Sequence, residues 1–559
     1  MVRRILRILV RDIRGLHEAA YLLGLFAILS QLLGLVRDRI LAHIFGATQS
    51  LDVYYASFRI PDLIFASVAS IVSVSVLIPF LAQYIEGDPK RLRAFINSIF
   101  SFFSFLIIGV SIAVFFLIPQ ILSVLFPSIA LSDLSDDFIL LTRILLLSPI
   151  LLGLSNFFGS ITQVRRAFFL YGLSPFLYNS GIILGILLFY PAMGIPGLGL
   201  GVVLGALLHM GMQLPILFRE KLFPRFTFTP NYQDVFSVVK LSLPRTITLS
   251  IHHVTLLILI MFSARIGEGI ISVFNLSSNL QSVLLSIVGV SYSVAAFPTL
   301  ARLFSNGDQV QFFEKVSTAA RHIIFWSLPG AILFIVLRAQ IVRVILGSGS
   351  FDWTATRLTA AALAIFSVSL IAQGLSLLFV RGYYASGKTF RPLLVNLCGG
   401  VVAVGSAYGL WRLFENVPVV RYFFESLLKV SDLPGTAVLM LPLGYSVGMI
   451  VNALLFWIIF QRDFSKFSHT LFRTFFQSLA ASVVMGFVAY QVLNILGTIF
   501  NLNTLLGIFF QGFIAGMVGI IAGIGILRIL GNPELGEAIR AFRQRFWKSA
   551  PIYPEQKEL

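Results

Sequence analysis

The chain has 559 residues, of which 57% are hydrophobic and only 12% are charged, and its mean hydropathy is +0.92. A soluble protein would carry roughly a quarter charged residues, so the composition excludes that class and predicts a multi-span membrane protein. The net charge of +17 does not indicate a nucleic-acid partner, because the basic residues lie in short loops where membrane topology and anionic lipids account for them.

The first 17 residues are basic and amphipathic. The apolar stretch that follows from Ala19 is long and ends in charges, unlike the short core and cleavage site of a secretory signal. Residues 1–17 are therefore predicted to form an interfacial segment on the cytoplasmic side.

Apolar stretches of about 20 residues, the length that crosses a bilayer, recur along the rest of the chain and predict about fourteen transmembrane helices. The predicted spans are 18–45, 62–84, 95–126, 137–162, 168–190, 195–218, 236–263, 270–301, 318–346, 355–380, 392–414, 435–460, 471–496 and 503–530. The fold class is thus all-α and polytopic.

Loop charges alternate along this series. The loop after the second span contains Lys90, Arg91 and Arg93, whereas the next loop, near 127–137, has three aspartates and no base. This alternation predicts that both termini are cytoplasmic, which requires an even number of spans. The loop at 415–434 breaks the pattern, because it contains two basic residues.

A faint internal repeat divides the chain. VLIPFLAQYIEGD (76–88) resembles VAAFPTLARLFSNGD (294–308), PQILSVLF (119–126) resembles AQIVRVIL (339–346), and QVRRAFF (163–169) resembles FVRGYYA (379–385). The repeat predicts two six-helix lobes related by an axis along the membrane normal, an arrangement that suits alternating access. The predicted domains are an N-lobe (18–218), a C-lobe (236–460), a C-terminal helix pair (471–530) and a cytoplasmic tail (531–559).

Ionisable residues interrupt the first span and the segment after it. Arg37 and Asp38 fall where a membrane helix should be apolar, and Asp52 and Arg59 follow. Charges at this depth are costly and usually face a partner or a wet cavity, and an arginine fork suits a phosphate or diphosphate. The alternative is that the arginines mark the interfacial edge of the span and that Asp52 and Arg59 form a solvated loop pair. Arg265, at the mouth of the seventh span, is a further candidate.

The sequence contains no signature of an enzyme. It has no HExxH, Walker or GxSxG motif, and its only cysteine is Cys398. His252 and His253 are adjacent, so on a helix they point about 100° apart and make a poor metal pair. We therefore predict no catalysis, no metal and no cofactor. Transport would draw on the membrane potential, a monovalent-ion gradient or the substrate gradient.

The stretch GLVRDRILAHIFGATQSLDVYYASFRIPDL, beginning at Gly34, resembles the start of the MurJ/MviN lipid II flippases, whose pattern is roughly GFxRDxxxAxxFGxxxxxDAFxxAFxxPN. IPFLAQY (78–84) and SVAAFPTLARL (293–303) are similar to two further stretches of that family. The resemblance implies an exporter of the multidrug/oligosaccharidyl-lipid/polysaccharide superfamily in the bacterial cytoplasmic (inner) membrane. It would move the undecaprenyl-diphosphate-linked peptidoglycan precursor to the outer leaflet, for cell-wall biogenesis and cell shape.

The resemblance also implies a substrate site and partners. Arg37, Asp38 and Asp52 match family positions, Arg59 takes a position that is basic in the family, and Arg265 is an additional cation. Three positions where the family has arginines are uncharged here, namely Gln31, Phe65 and Asn279. The implied partners are the lipid-linked diphosphate sugar, membrane lipids, with the tail in a groove of the last two helices, and other cell-wall synthesis proteins.

Other functions stay open at this point. The uncharged positions also fit a flippase for another polyprenyl-diphosphate sugar or a non-transporting scaffold. A cation-coupled drug exporter of the same superfamily would need a buried acidic ion site, and the spans are poor in acids beyond Asp38.

Overall fold

A computed structural model describes residues 16–72, 74–85, 88–464 and 469–546, and within these ranges the chain is helical with no strand. The predicted all-helical class is confirmed. Of the predicted N-terminal segment 1–17, residues 1–15 lie outside the described ranges, as do residues 547–559 of the predicted tail.

Long apolar helices alternate with short connecting ones. In the first half the helices are Leu16–Phe45, Gln49–Ser57, Arg59–Ser67, Val74–Ile85, Pro89–Leu125, Pro127–Ala130, Ser135–Leu145, Leu147–Val164, Phe168–Leu184, Tyr190–Met193, Ile195–Gly211, Leu214–Arg219 and Tyr232–Ile266. In the second half they are Ile270–Leu285, Ser291–Ser305, Gln309–Val336, Arg338–Ile345, Trp353–Val368, Leu370–Ala385, Phe390–Asn416, Pro418–Leu428, Met440–Asp463, His469–Leu496, Leu505–Ile529 and Pro533–Phe546. Two 3₁₀ turns and two π-helical segments complete the set at Ala69–Val72, Thr436–Leu439, Gly185–Phe189 and Ser286–Val290.

Among the described residues, eleven helices are long and apolar enough to cross a membrane, or up to twelve if a pair bent by 46° forms one span. The eleven correspond to the predicted third to ninth and eleventh to fourteenth spans, and the bent pair, Trp353–Val368 with Leu370–Ala385, corresponds to the tenth. The first two predicted spans are not in this count. Residues 18–45 lie in the 30-residue helix Leu16–Phe45, and residues 62–84 are divided among short helices.

Local features interrupt the helix just before the second predicted span and within it. Pro61 has no N–H to donate to the carbonyl of Ser57, and the helical run is interrupted at Phe58. Further on, the Ser67 and Ser70 hydroxyls donate to carbonyls four residues back, at 2.6 Å each, a bond that bends helices. Several short helices therefore replace the single helix that apolarity alone predicts.

Packing groups the chain into two compact units. One contains the described residues up to Leu280 together with Ile345–Ala362 and Thr389–Val451; the other contains Gln281–Val344, Leu363–Lys388 and the described residues from Asn452. These units follow contacts, whereas the predicted lobes 18–218 and 236–460 follow the sequence repeat, and the lobe boundaries stay a prediction.

Within the first unit, glycines bring two helices into direct backbone contact. A Cβ at Gly181 would collide with the backbone of Gly205, and one at Gly185 would collide with that of Gly201. Helices Phe168–Leu184 and Ile195–Gly211 therefore approach more closely than larger side chains would permit, as membrane helices often do. This close packing holds helix Phe168–Leu184 in place, and that helix carries Asn179, a polar residue of the candidate site.

Candidate functional site

The centre of the candidate site is an ion pair on helix Leu16–Phe45. Arg37 Nε and Nη2 donate to Asp38 Oδ1 at 3.0 and 2.8 Å, and Arg37 Nη1 donates to Asn179 Oδ1 at 3.1 Å. The side chain of Asp38 is 5% exposed, whereas that of Arg37 is 22% exposed. Arg37 is thus oriented by two acceptors while part of its surface stays open, which is what recognition of a further anion requires.

Asn179 is held by its own network. Its Nδ2 donates to Ser30 Oγ at 3.2 Å and to the Ser30 carbonyl at 3.4 Å, so its Oδ1 is free to face Arg37. Asn179 is not among the residues predicted for the site from the sequence. The sequence signal for Asn179 is an amide in the middle of an apolar helix, because buried polar groups need hydrogen-bond partners.

The second oxygen of Asp38 is bound by a neutral donor. Asn279 Nδ2 donates to Asp38 Oδ2 at 3.1 Å. Asn279 is one of the three positions where the resemblance expects an arginine. The position therefore faces the site, and the change from a cation to an amide leaves Arg37 as the cation that pairs with Asp38.

Arg39 and His43, two further ionisable residues of the first helix, point elsewhere. Arg39 Nη1 donates to the carbonyl of Ile345 at 3.2 Å, and His43 Nδ1 lies 3.2 Å from Ser348 Oγ. A Cβ at Gly349 would collide with the His43 carbonyl, so the end of the first helix packs tightly on the turn at 345–350. Arg37 and Arg39, two residues apart, thus face different surroundings, as the helical spacing predicts.

Asp52 has a different environment from the Arg37–Asp38 pair. Its Oδ1 accepts the Ser272 N–H at 2.7 Å and the Ser272 hydroxyl at 2.6 Å, and its Oδ2 accepts the Gly269 N–H at 2.7 Å. Asp52 is 3% exposed. It therefore caps the N-terminus of helix Ile270–Leu285, where free N–H groups and the helix dipole favour a carboxylate.

Arg59 lies beside the same helix. One of its Nη atoms donates to Asn275 Oδ1, and Asn275 Nδ2 donates in turn to the Ile271 carbonyl at 2.8 Å. Arg59 Nε is buried and has no hydrogen-bond acceptor within the described part of the chain. A buried guanidinium with an unused donor is costly in the absence of a ligand and supplies a bond when an anion arrives.

The remaining predicted residues are placed as follows. Arg265 is exposed in the last turn of helix Tyr232–Ile266, and no hydrogen bond or ion pair among the described residues joins it to Arg37 or Asp38. Gln31 and Phe65 are half-buried on the first helix and on helix Arg59–Ser67.

No metal centre is indicated within the described ranges, where no group of three or more His, Cys, Asp or Glu could hold an ion. The rings of His252 and His253 have centroids 5.8 Å apart and meet edge to face at 80°. The polar groups gathered around Arg37 are the Asp38 carboxylate and the amides of Asn179 and Asn279.

Solved structures with a similar arrangement of helices include membrane transporters. The chain superposes on a structure described as "Lipid II flippase MurJ, inward closed conformation" with a TM-score of 0.71 and 20% identity, over 93% of this chain and 100% of that one. It also superposes on an inward-facing multidrug-resistance MATE family transporter of the MOP superfamily with a TM-score of 0.63 and 15% identity, over 78% and 94% of the two chains. The fold is therefore that of the MOP-superfamily transporters.

Sequence comparison gives the family. Residues 41–511 match the family model "Lipid II flippase MurJ". A probable lipid II flippase MurJ of Buchnera aphidicola subsp. Acyrthosiphon pisum is 25% identical over 91% of this chain and 96% of its own length. The lipid II flippase MurJ of Burkholderia cenocepacia is 23% identical over 84% of this chain and 89% of its own. The chain belongs to the MurJ lipid II flippase family, and it is a multi-span protein of the inner membrane.

Proposed function

We propose that this chain moves lipid II from the cytoplasmic to the outer leaflet by alternating access. The observation that carries the proposal is the partly open guanidinium of Arg37, held in a buried polar cluster of a MurJ-family protein. Ionisable side chains inside a membrane protein are expensive and are retained at substrate paths. A diphosphate is the part of lipid II that an arginine fork fits.

Arg37 and Arg59 would contact the diphosphate directly. Arg37 offers its accessible surface, and Arg59 offers the Nε donor that has no acceptor among the described residues. Asp38 would orient Arg37 rather than touch the substrate, since both of its oxygens already accept hydrogen bonds. Asp52 would act through the helix that it caps, and the exposed Arg265 would meet the headgroup at the mouth of the path.

The three uncharged positions have a consequence for the cargo. Because Gln31, Phe65 and Asn279 add no cations, the diphosphate would be held by fewer charges than in relatives with arginines there. The same observation favours a second candidate, a flippase for another polyprenyl-diphosphate sugar with further contacts through its sugar. In either case the partners are a lipid-linked substrate and membrane lipids.

Several finer points complete the proposal. Both termini would face the cytoplasm, as the loop charges predict. Transport would proceed without catalysis, metal or cofactor and would be coupled to the membrane potential or to a monovalent ion. Other cell-wall synthesis proteins would take up the flipped lipid.

Native mass spectrometry of the purified protein with lipid II, undecaprenyl phosphate and an anionic phospholipid tests this function. Wild type should retain lipid II selectively. Arg37→Ala should weaken that retention by roughly 10- to 100-fold, the value of one or two hydrogen bonds to a charged group. Arg39→Ala is the matched control, because Arg39 lies on the same helix but bonds the Ile345 carbonyl.

The outcomes separate the candidates. Equal retention of all three lipids by wild type and by both variants would mean that the arginines serve topology and would overturn the proposal. Weak retention of lipid II with strong, Arg37-dependent retention of another polyprenyl-diphosphate sugar would establish the second candidate. A leaflet-accessibility assay in proteoliposomes with fluorescent lipid II then measures the transport step itself.

A further inference from the structure

Helix Pro418–Leu428 turns its apolar side chains outward. Val419, Tyr422, Phe423 and Leu427 are 76%, 66%, 59% and 60% exposed. These positions are spaced by three and four residues and therefore lie along one face of the helix. A surface helix facing water would show the opposite pattern, with charged side chains on this face.

The charged residue of the helix that is most buried points the other way. Glu425 is 1% exposed, and its Oε1 accepts Arg421 Nε at 2.9 Å and the Thr436 hydroxyl at 2.6 Å. The Thr436 bond ties the inner face of the helix to the start of the next helical segment. The outward orientation of the apolar face is thus fixed by the helix's own polar contacts.

A second anchor holds the C-terminal end. Arg357 donates to both carboxylate oxygens of Asp432, at 2.6 and 2.7 Å, and also to the carbonyl of Lys429, the residue that ends the helix in a left-handed conformation. The apolar face therefore cannot turn inward without breaking the hydrogen bonds to Thr436 and Arg357.

The position of the helix along the chain places it at a membrane boundary. It begins two residues after Phe390–Asn416, a candidate span of 27 residues. At 1.5 Å per residue that span is about 40 Å long, which exceeds the hydrocarbon core of about 30 Å and reaches the headgroup region. Exposed apolar side chains of the span, such as Val401 and Leu413, continue up to the same boundary.

We propose that helix Pro418–Leu428 is an interfacial helix whose outward face, Val419, Tyr422, Phe423 and Leu427, inserts into the bilayer between headgroups and acyl chains. Its partner is phospholipid. Tyr and Phe on the inserted face suit this zone, and Arg421 and Lys429, both exposed, are placed to meet phosphates. The helix also accounts for two bases in a loop that breaks the charge alternation, since they serve an interface rather than topology.

Site-directed spin labelling of the full chain in proteoliposomes tests this assignment. Cys398 is replaced by serine, and single cysteines are placed at Phe423 on the apolar face and at Ser431, an exposed residue of the following loop. The label at 423 should report a depth of about 5–10 Å below the phosphates, with more collisions with oxygen than with a water-soluble nickel complex. The label at 431 should show the reverse preference.

Val419→Cys provides a second label on the same face if the variant at 423 does not fold. Water-like accessibility at 419 and 423 in liposomes that contain this protein alone would overturn the proposal and indicate a protein partner for the face. Equal burial of 423 and 431 would overturn it as well, because the whole loop rather than one face would then be embedded. Neither outcome bears on lipid II transport.

Discussion

Asn279 donates its side-chain amide to Asp38 at 3.1 Å, across 241 residues of sequence. The geometry shows that the position faces the ion pair of the first helix, although the residue is neutral. In this chain Asp38 accepts hydrogen bonds from one guanidinium and one amide. An arginine at 279 would place a second positive charge beside Asp38.

Replacing Asn279 by arginine should therefore strengthen binding of an anionic headgroup. The new guanidinium would compete for Asp38 and leave Arg37 more of its donors for a diphosphate. We expect retention of lipid II to rise by roughly 10-fold, the value of one charge-assisted hydrogen bond. Titration of the purified variant with lipid II measures this, and Asn279→Gln, which keeps a neutral donor, should bind like wild type. A weaker Asn279→Arg complex would contradict the expectation.

Loss of the Asp52 cap should destabilise the protein. Asp52→Ala leaves the buried N–H groups of Gly269 and Ser272 without their acceptor, at a cost of roughly 2–4 kcal/mol. Asp52→Asn keeps one acceptor oxygen and should lose less. The midpoint of thermal unfolding and hydrogen exchange at the two amides report the effect. Unchanged exchange at both amides in Asp52→Ala would show that the cap does not protect the helix end.

The contact between Gly181 and Gly205 should not tolerate a methyl group. Alanine at Gly181 meets backbone rather than a flexible side chain, so the two helices must separate, at a cost of about 1–3 kcal/mol. Gly109→Ala is the matched control, because a Cβ there meets nothing within 4 Å and alanine favours a helix by up to about 1 kcal/mol. The midpoints of thermal unfolding of the two variants test this expectation. Equal midpoints would mean that the contact is not tight in the membrane.

The anchor of the interfacial helix should respond to acid. Arg357 donates to both oxygens of Asp432, and these hydrogen bonds hold the pKa of that carboxyl below its ordinary value. Since the folded pKa is lowered, the stabilisation is present above the unfolded value and is lost as the pH falls through the lowered one. Arg357→Gln should raise the pKa of Asp432 towards the ordinary value of an aspartate. Carboxyl NMR titration measures the change, and Arg412→Gln should leave the pKa unaltered.

The lengths of the apolar segments predict most of the membrane-spanning helices. The spans from Pro89 onward were recognisable because each is a long apolar run, and length and apolarity are what the bilayer demands. The segment around Pro61 was predicted less well. Its composition is apolar enough for one span, but a proline and serine-to-backbone bonds divide it into short helices, and hydropathy does not register such bonds.

The candidate site could be predicted in part. Arg37 and Asp38 stand out because charge is rare in an apolar run. Asn179, by contrast, joins Arg37 from 142 residues away, and nothing local in the sequence reveals that pairing. Likewise, the family resemblance predicts Asp52 as a site residue but does not predict its hydrogen-bond partners. Its three partners belong to a helix start that only the folded chain brings within reach.

The Asp52 cap also constrains the order in which this protein folds during its synthesis. The carboxylate leaves the ribosome 217 residues before Gly269, its first donor along the chain. At roughly 5–20 residues per second, the newly made N-terminal half would wait on the order of 10–40 s with this acid unpaired. During biosynthesis Asp52 must therefore remain hydrated or be shielded by the insertion machinery, and the N-terminal half reaches its final state only after the start of helix Ile270–Leu285 has been translated.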